Sequence, residues 1–274
     1  MRSRRMPLSL LWALALIWLM SACAPVAGTG RSQLSLVSDS ELNQTAALQY
    51  RKLIGESRLS SDRAASAMIK RVGAKISQAA RELMASYGRE SEIAGYQWEF
   101  NLIDSKEVNA FCMPGGKVAF YTGILPVCKD ESGVAAVMGH EVAHALARHA
   151  AERVSQQTVA NLGGALLGIG LSMGGVSAGT SDLVMGAFAL GSQYGVLLPY
   201  SRAHEAEADR IGMSLMAMAG YDPHAAVDLW RRMAQSSGRS STPFFMSTHP
   251  TDSQRITNLE KYLPEAMERY EAYK

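Results

Sequence analysis

Cysteine is scarce in this chain, with three residues in 274. Neither Cys112 nor Cys128 has the close partner that a cysteine-based zinc site requires, and so few thiols exclude a dense disulfide framework. A single 112–128 bridge and two free buried thiols both remain open, since sequence does not show whether the Cα atoms lie close enough. Neither sign of charge is in surplus: 27 basic and 25 acidic side chains leave a net charge of +2. Phosphate binding needs a basic excess, so nucleic acid is excluded as the main partner. An unbroken run of about 20 apolar residues, the length that spans a bilayer, is also missing. Residues 161–195 come nearest, being Gly/Ala-rich and almost free of charge, but glycines, serines and Asp182 interrupt them. That composition suits closely packed helices, or a flap over a cleft, and leaves contact with a membrane surface open. What the chain does have is a hydrophobic fraction of 47%, enough for one sizeable core.

The first residues read as a targeting segment. Arg2, Arg4 and Arg5 precede the apolar run Leu8–Met20, and "LMSACAP" follows. This resembles a bacterial lipoprotein signal, which implies removal of residues 1–22 and lipidation of Cys23, with membrane attachment through it. Ordinary signal-peptide cleavage with Cys23 as a bystander is the alternative. By resemblance to known sorting rules, Ala24 after the cysteine favours the outer membrane. Residues 23–37, rich in Ser, Gly and Thr, predict a flexible tether, and residues 38–274 a single domain.

Ser38 and Glu41 have capping-box spacing, which starts a helix running to about Ile54. A second helix fits Asp62–Tyr87, where Met68, Val72, Ile76, Ala79 and Leu83 form one apolar stripe. "YQWEFNLI" alternates as a strand with Trp98, Phe100 and Leu102 on one face. "VNAF" and "KVAFYTG" predict two more strands about the Pro114-Gly115-Gly116 turn. From Asp130 the pattern is helical again and continues past Glu152 toward Gln157. Further helices fit Ala203–Ala219, Pro223–Gln235, Asp252–Tyr262 and Pro264–Tyr273, with "SSGRSSTPFF" as a loop. The fold class is α+β: mostly helical, with a small sheet beside the helix that follows Asp130.

That helix carries "GHEVAHALARH". Residues four apart share a helix face, so His140 and His144 present two imidazoles to one point. Zinc takes neutral imidazole nitrogens, and catalytic sites use three protein ligands plus a water. Glu141, one residue round from His140, can lean toward that water as general base. "SRAHEAEADRIG" supplies the third donor. Glu205 and Asp209 share a face; Glu205 completes a His-His-Glu set for one zinc ion per chain, and Asp209 can hold a ligand's tautomer. Glu207 lies nearly opposite and reads as a solvated charge. His204, His149 and His224 read as surface residues, and Arg148 as a helix-face charge.

Together "NAF-x-MPGG-x-V-x-x-YTG", "GHEVAHALARH", "SRAHEAEADRIG" and "STHP" with a later "RI" resemble the peptidase family that contains HtpX and the CAAX prenyl proteases. The likeness is nearest to the bacterial periplasmic lipoprotein branch and covers about residues 40–262. It implies a zincin-like metalloprotease domain with His140, His144 and Glu205 as zinc ligands, Glu141 as base and Asp209 behind the ligands. It also implies that His249 stabilises the oxyanion or fills the open zinc position at rest, and that Arg255 assists. Clear spanning helices, present in integral-membrane members, are missing, which fits a body on a lipid anchor rather than a processor of prenylated chains. The resemblance makes the strand Val118, Ala119, Phe120, Tyr121, Thr122 the candidate edge for pairing with substrate backbone, with a fully paired inner strand as the alternative that pattern alone leaves open. The implied substrates are unfolded or misassembled envelope proteins at the periplasmic face of the outer membrane. A chaperone-like zinc lipoprotein with little proteolysis is the alternative, and a small-molecule zinc hydrolase a third; oligomeric state is not legible.

Overall fold

The structure, a computed structural model, describes residues 23–192, 198–236, 245, 249 and 253–274. The signal-like residues 1–22, the Cys23 side chain and most of residues 237–252, which include most of the expected loop "SSGRSSTPFF", lie outside the described residues. The fold is α+β and mostly helical.

In place of the flexible tether expected at 23–37, β1 (Cys23–Pro25) and β2 (Ser32–Leu34) form an antiparallel hairpin. Val26 and Ala27 at its turn enter the main core and Gln33 is buried. Serine and glycine content signalled flexibility, but a few apolar residues and Arg31 dock the segment. Helix α1 (Asp39–Glu56) starts where Ser38 caps the Glu41 amide, and α2 (Arg63–Ser86) where Asp62 caps that of Ala65. The apolar stripe of α2 is buried through Ile69, Val72, Ile76, Ala79 and Leu83.

A three-stranded sheet follows: β3 (Glu99–Ile103), β4 (Ala110–Met113) and β5 (Lys117–Tyr121), in the order β3-β5-β4. β5 pairs parallel with β3 and antiparallel with β4. The β4–β5 turn needs Gly115 and Gly116, both at positive φ (80° and 81°), where other residues are strained. The expected substrate edge, Val118–Thr122, is thereby corrected. Its strand part is the central strand, hydrogen-bonded on both sides, with Val118, Ala119 and Phe120 wholly buried. Alternation alone does not tell an inner strand from an outer one.

After the short α3 (Leu125–Cys128), Asp130 caps α4 (Glu131–Leu146) by accepting from the Gly133 amide. Every α4 residue from Gly133 to Leu146 is buried, so this helix is surrounded by neighbours rather than lying on the core. It packs on α7 (Leu198–Met218), α2, α8 (His224–Ser236) and β4. The predicted continuation into Gln157 is broken. Arg148 adopts a left-handed conformation (φ 58°, ψ 31°), and a new helix α5 (His149–Met173) begins after it. α5 and α6 (Ala178–Ser192) pack together, with the Phe188 ring over Gly163 and Gly164. This is the small-residue packing expected for 161–195, and Leu162, Leu166 and Ile169 stay exposed. No described helix is long and apolar enough to cross a membrane. The two helices expected at the C-terminus are one, α9 (Ser253–Tyr273), which continues through Pro264. A buried face containing Leu259 and Ala266 against α7 and α8 offsets the amide that proline lacks. Cys112 and Cys128 are free thiols, so the bridge is not formed. Burial pushes both thiols up, Cys128 to about 12.

Candidate metal centre

Two glycines set the site. A Cβ on Gly139 of α4 would meet the Gly212 carbonyl oxygen of α7 at 2.7 Å, and one on Gly212 the His140 amide nitrogen at 2.8 Å. Only a pair without side chains allows these backbones so close. α7 therefore crosses α4 beside His140, and Glu205, two turns earlier on nearly the same face, hangs over the histidine pair.

His140 Nε2, His144 Nε2, a Glu205 carboxylate oxygen and a His249 nitrogen all lie within 4.8 Å of one another. His140 Nε2 is 3.1 Å from His144 Nε2, 3.3 Å from Glu205 Oε2 and 3.2 Å from His249 Nδ1. Glu205 is 3.4 Å from His144 Nε2 and 3.0 Å from His249 Nδ1. A tetrahedral ion with bonds of about 2.0–2.1 Å has donor–donor edges of roughly 3.3–3.4 Å. The five distances, 3.0–3.4 Å and drawn to both Glu205 oxygens, lie at or slightly below that figure, so the residues fit a tetrahedral metal ion. A further sign is Glu141, a buried carboxylate whose Oε1 has no hydrogen-bond partner and lies 3.5 Å from His249 Nε2. An ionisable oxygen left unpartnered in the interior is costly unless something else is held there.

Electrostatics follow the geometry. Burial lowers His140, as does Arg255, yet hydrogen bonds to Asp209 and Glu205 outweigh both and push it up to about 9. Metal uptake at that nitrogen competes with a proton, so binding releases protons. Burial drives His144 well below the ordinary histidine value. Burial also raises Glu205, but His144, His140 and His249 more than reverse this and hold it well below the carboxylate range. Glu141 is raised, chiefly by burial, toward the range useful in a general base.

Asp209 sits where sequence put it, with Oδ1 2.9 Å from His140 Nδ1. Arg255 is buried: its guanidinium donates in bidentate fashion to Asp209 (2.9 and 2.8 Å) and to Glu205 (2.9 Å), and lies 3.2 Å from His140 Nε2 and 3.3 Å over the Trp230 ring. It braces the two carboxylates at the donor cluster. His249 joins the donor set and stacks on Phe245, which in turn stacks on Trp230. The Phe245 amide donates to the Val108 carbonyl, fixing this segment beside the start of β4. Sequence reasoning missed Trp230 and Phe245, which carried no signal beyond being aromatic.

It also misplaced His149, His204, Glu207 and Arg148. His149 and His204 are buried and stacked, ring centroids 4.1 Å apart, with Glu152 and Glu207 between them and Arg31. On an uninterrupted helix residues 144 and 149 point about 140° apart. The left-handed Arg148 breaks the helix and folds His149 back to 2.7 Å from His144. No periodicity argument anticipates a break at arginine. His224, by contrast, is exposed as expected.

The chain is similar to known proteins. The profile of Peptidase family M48 matches residues 70–263. The mitochondrial metalloendopeptidase OMA1 of Schizosaccharomyces pombe is 41% identical over 182 residues, covering 66% of this chain and 51% of that one. Its human counterpart is 28% identical over 248 residues, covering 87% and 45%. A putative beta-barrel assembly-enhancing protease of Vibrio cholerae is 36% identical over 166 residues, covering 58% and 33%. The chain thus spans about half or less of the length of these relatives. With the metal-fitting tetrad inside the matched region, the chain belongs to peptidase family M48.

Proposed function

We propose that this protein is a zinc-dependent endopeptidase, held in a bacterial envelope by lipid on Cys23, that cleaves unfolded or misassembled envelope proteins. The observation that carries the reading is the buried Glu141 oxygen without a hydrogen bond beside a cluster of four residues that could hold a metal ion. His140, His144 and Glu205 would hold the ion. A bound zinc ion supplies Lewis-acid polarisation of the scissile carbonyl and the attacking water. Glu141 takes that water's proton and delivers it to the leaving amine; burial prepares it for this by raising its proton affinity. Asp209 and Arg255 keep His140 and Glu205 oriented from behind.

His249 supports a resting state. Four protein donors leave no place for substrate, whereas a catalytic site keeps one position open. His249 lies on neither α4 nor α7, which carry the other three donors, so it is the donor that can withdraw without moving them, and once withdrawn it is placed to donate to a developing oxyanion. For substrate, the sheet has two edges: the outer side of β3 is bridged by residues 58–60, whereas no described strand pairs with the outer side of β4, which packs against α4. An extended, unfolded chain can add there as a strand. The envelope assignment rests on the lipoprotein-like start and on the V. cholerae relative's name; the mitochondrial relatives do not speak for it.

Glu141→Gln tests the proposal. It should leave metal content and folding unchanged and abolish digestion of an unfolded casein-type substrate. Envelope function surviving the substitution would favour a zinc-containing assembly factor instead.

A further inference from the structure

Behind the metal donors lies a buried polar cluster that the proposed chemistry does not use. Its hydrogen bonds have directions fixed by chemistry. A ligating His144 offers its Nε2 lone pair to the ion, so its proton sits on Nδ1. That N–H donates to His149 Nδ1 at 2.7 Å. His149 then carries its own proton on Nε2 and donates to Glu207 Oε2 at 3.0 Å. Glu207 also accepts from the Thr29 hydroxyl and from Arg31 Nη2 at 2.9 Å. Arg31 spans to Glu152 with two more bonds, of 2.9 and 2.7 Å, and His204 donates to Glu152 at 2.8 Å while stacking on His149.

We propose that the N-terminal hairpin is a positioning clamp on the metal ligand His144, acting through Arg31, Glu207 and His149 in series. The proposal rests on reading His144 as a zinc ligand. Three other bonds from the same N-terminal segment converge on the α4–α5 corner. Arg148 donates to Asp39 (2.8 Å) and to the Ser35 hydroxyl (2.9 Å), and the Leu36 amide donates to the Ser155 hydroxyl (2.9 Å). The corner is the left-handed residue that turns His149 back onto His144. The hairpin thus grips the carboxylate that the turned histidine needs, while Ser35 and Asp39, just after it, hold the residue that makes the turn. Groups behind a metal-bound histidine set its tautomer and ring angle, and losing one commonly costs 10–100-fold in affinity. Coupling is reciprocal, so metal binding should tighten docking of the hairpin by the same factor.

The experiment compares the wild-type chain with His149→Gln and Arg31→Gln. Zinc affinity is measured by competition with a chromophoric chelator, melting of metal-free and zinc-loaded protein by calorimetry, and hydrogen exchange over residues 24–34. Arg31 is partly exposed, so its variant should fold even if the His149 variant does not. Expected results are a 10–100-fold loss of zinc affinity in His149→Gln and several-fold in Arg31→Gln. Zinc should slow exchange in residues 24–34 of the wild type, and much less in Arg31→Gln. If the cluster only neutralises buried charge, Tm falls equally with and without zinc while affinity stays within twofold, and the clamp is overturned. A wild-type chain that takes up no zinc overturns the metal site itself, and the clamp with it.

Discussion

Gly212→Ala is a one-carbon change whose usual effect and whose effect here have opposite signs. In a helix interior, alanine is favoured over glycine by about 0.8–1.0 kcal/mol. Here the new Cβ would lie 2.8 Å from the His140 nitrogen and 2.9 Å from the Gly139 carbonyl carbon and the His140 Cα, all backbone atoms that cannot rotate aside. Ordinary contact begins near 3.4 Å, so α7 must move from α4 by roughly 0.6 Å. Overpacking of this kind costs about 1–3 kcal/mol, which leaves a net loss of roughly 0–2 kcal/mol. For a domain of this size that lowers Tm by up to about 8 °C. The larger consequence is at the metal. Glu205 rides on α7, while His140 and His144 stay on α4. A ligand set tolerates errors of about 0.2 Å, so a shift about three times that should cost at least tenfold in zinc affinity. Calorimetry of metal-free protein and chelator competition read the two effects separately. Gly168→Ala in α5, where an added Cβ meets nothing within 4 Å, is the control and should raise Tm with affinity unchanged. If Gly212→Ala behaves like this control, the glycine crossing does not set the ligand geometry and the packing argument is wrong.

Two further expectations can be measured directly. His249→Ala should lower zinc affinity several-fold, because one of four donors is gone, and should slow casein cleavage at saturating zinc, because the oxyanion donor is lost; a variant that binds zinc as tightly and cleaves as fast would show that His249 is neither plug nor oxyanion donor. Acid stability should depend on Arg31. Burial raises Glu152, but hydrogen bonds from His204 and Arg31 outweigh it and hold the carboxyl at about 2, against an ordinary 4.5. A depressed folded value means that the stabilisation is complete above pH 4.5 and is lost as pH falls toward 2. Metal-free Arg31→Gln should therefore show a shallower fall of Tm between pH 5 and 3 than the wild type, and parallel slopes would contradict the assigned partners.

The linear chain determined whatever depends on local spacing. Capping residues Ser38, Asp62 and Asp130 began helices where their side chains reach the third amide, a distance fixed by backbone geometry. His140 with His144, and Glu205 with Asp209, share faces for the same reason, so the candidate donors and the candidate base Glu141 were readable before any fold existed. Resemblance added His249, which no apolar or donor spacing in the sequence ties to the other three.

Contacts between distant segments belong to tertiary structure. Which strand lies inside the sheet depends on pairing order, and this put Val118–Thr122 in the middle rather than at an edge. Whether a polar residue is a surface charge or a buried partner depends on what arrives opposite it. Arg31 lies 176 residues from Glu207 in sequence, yet bonds to it. Helical period alone put His149 and Glu207 on outer faces; the left-handed turn at Arg148 and the docked hairpin turned them inward. Sequence could name the metal donors because one helix turn brings them together; only packing could say what holds those donors still, because the supports come from both ends of the chain.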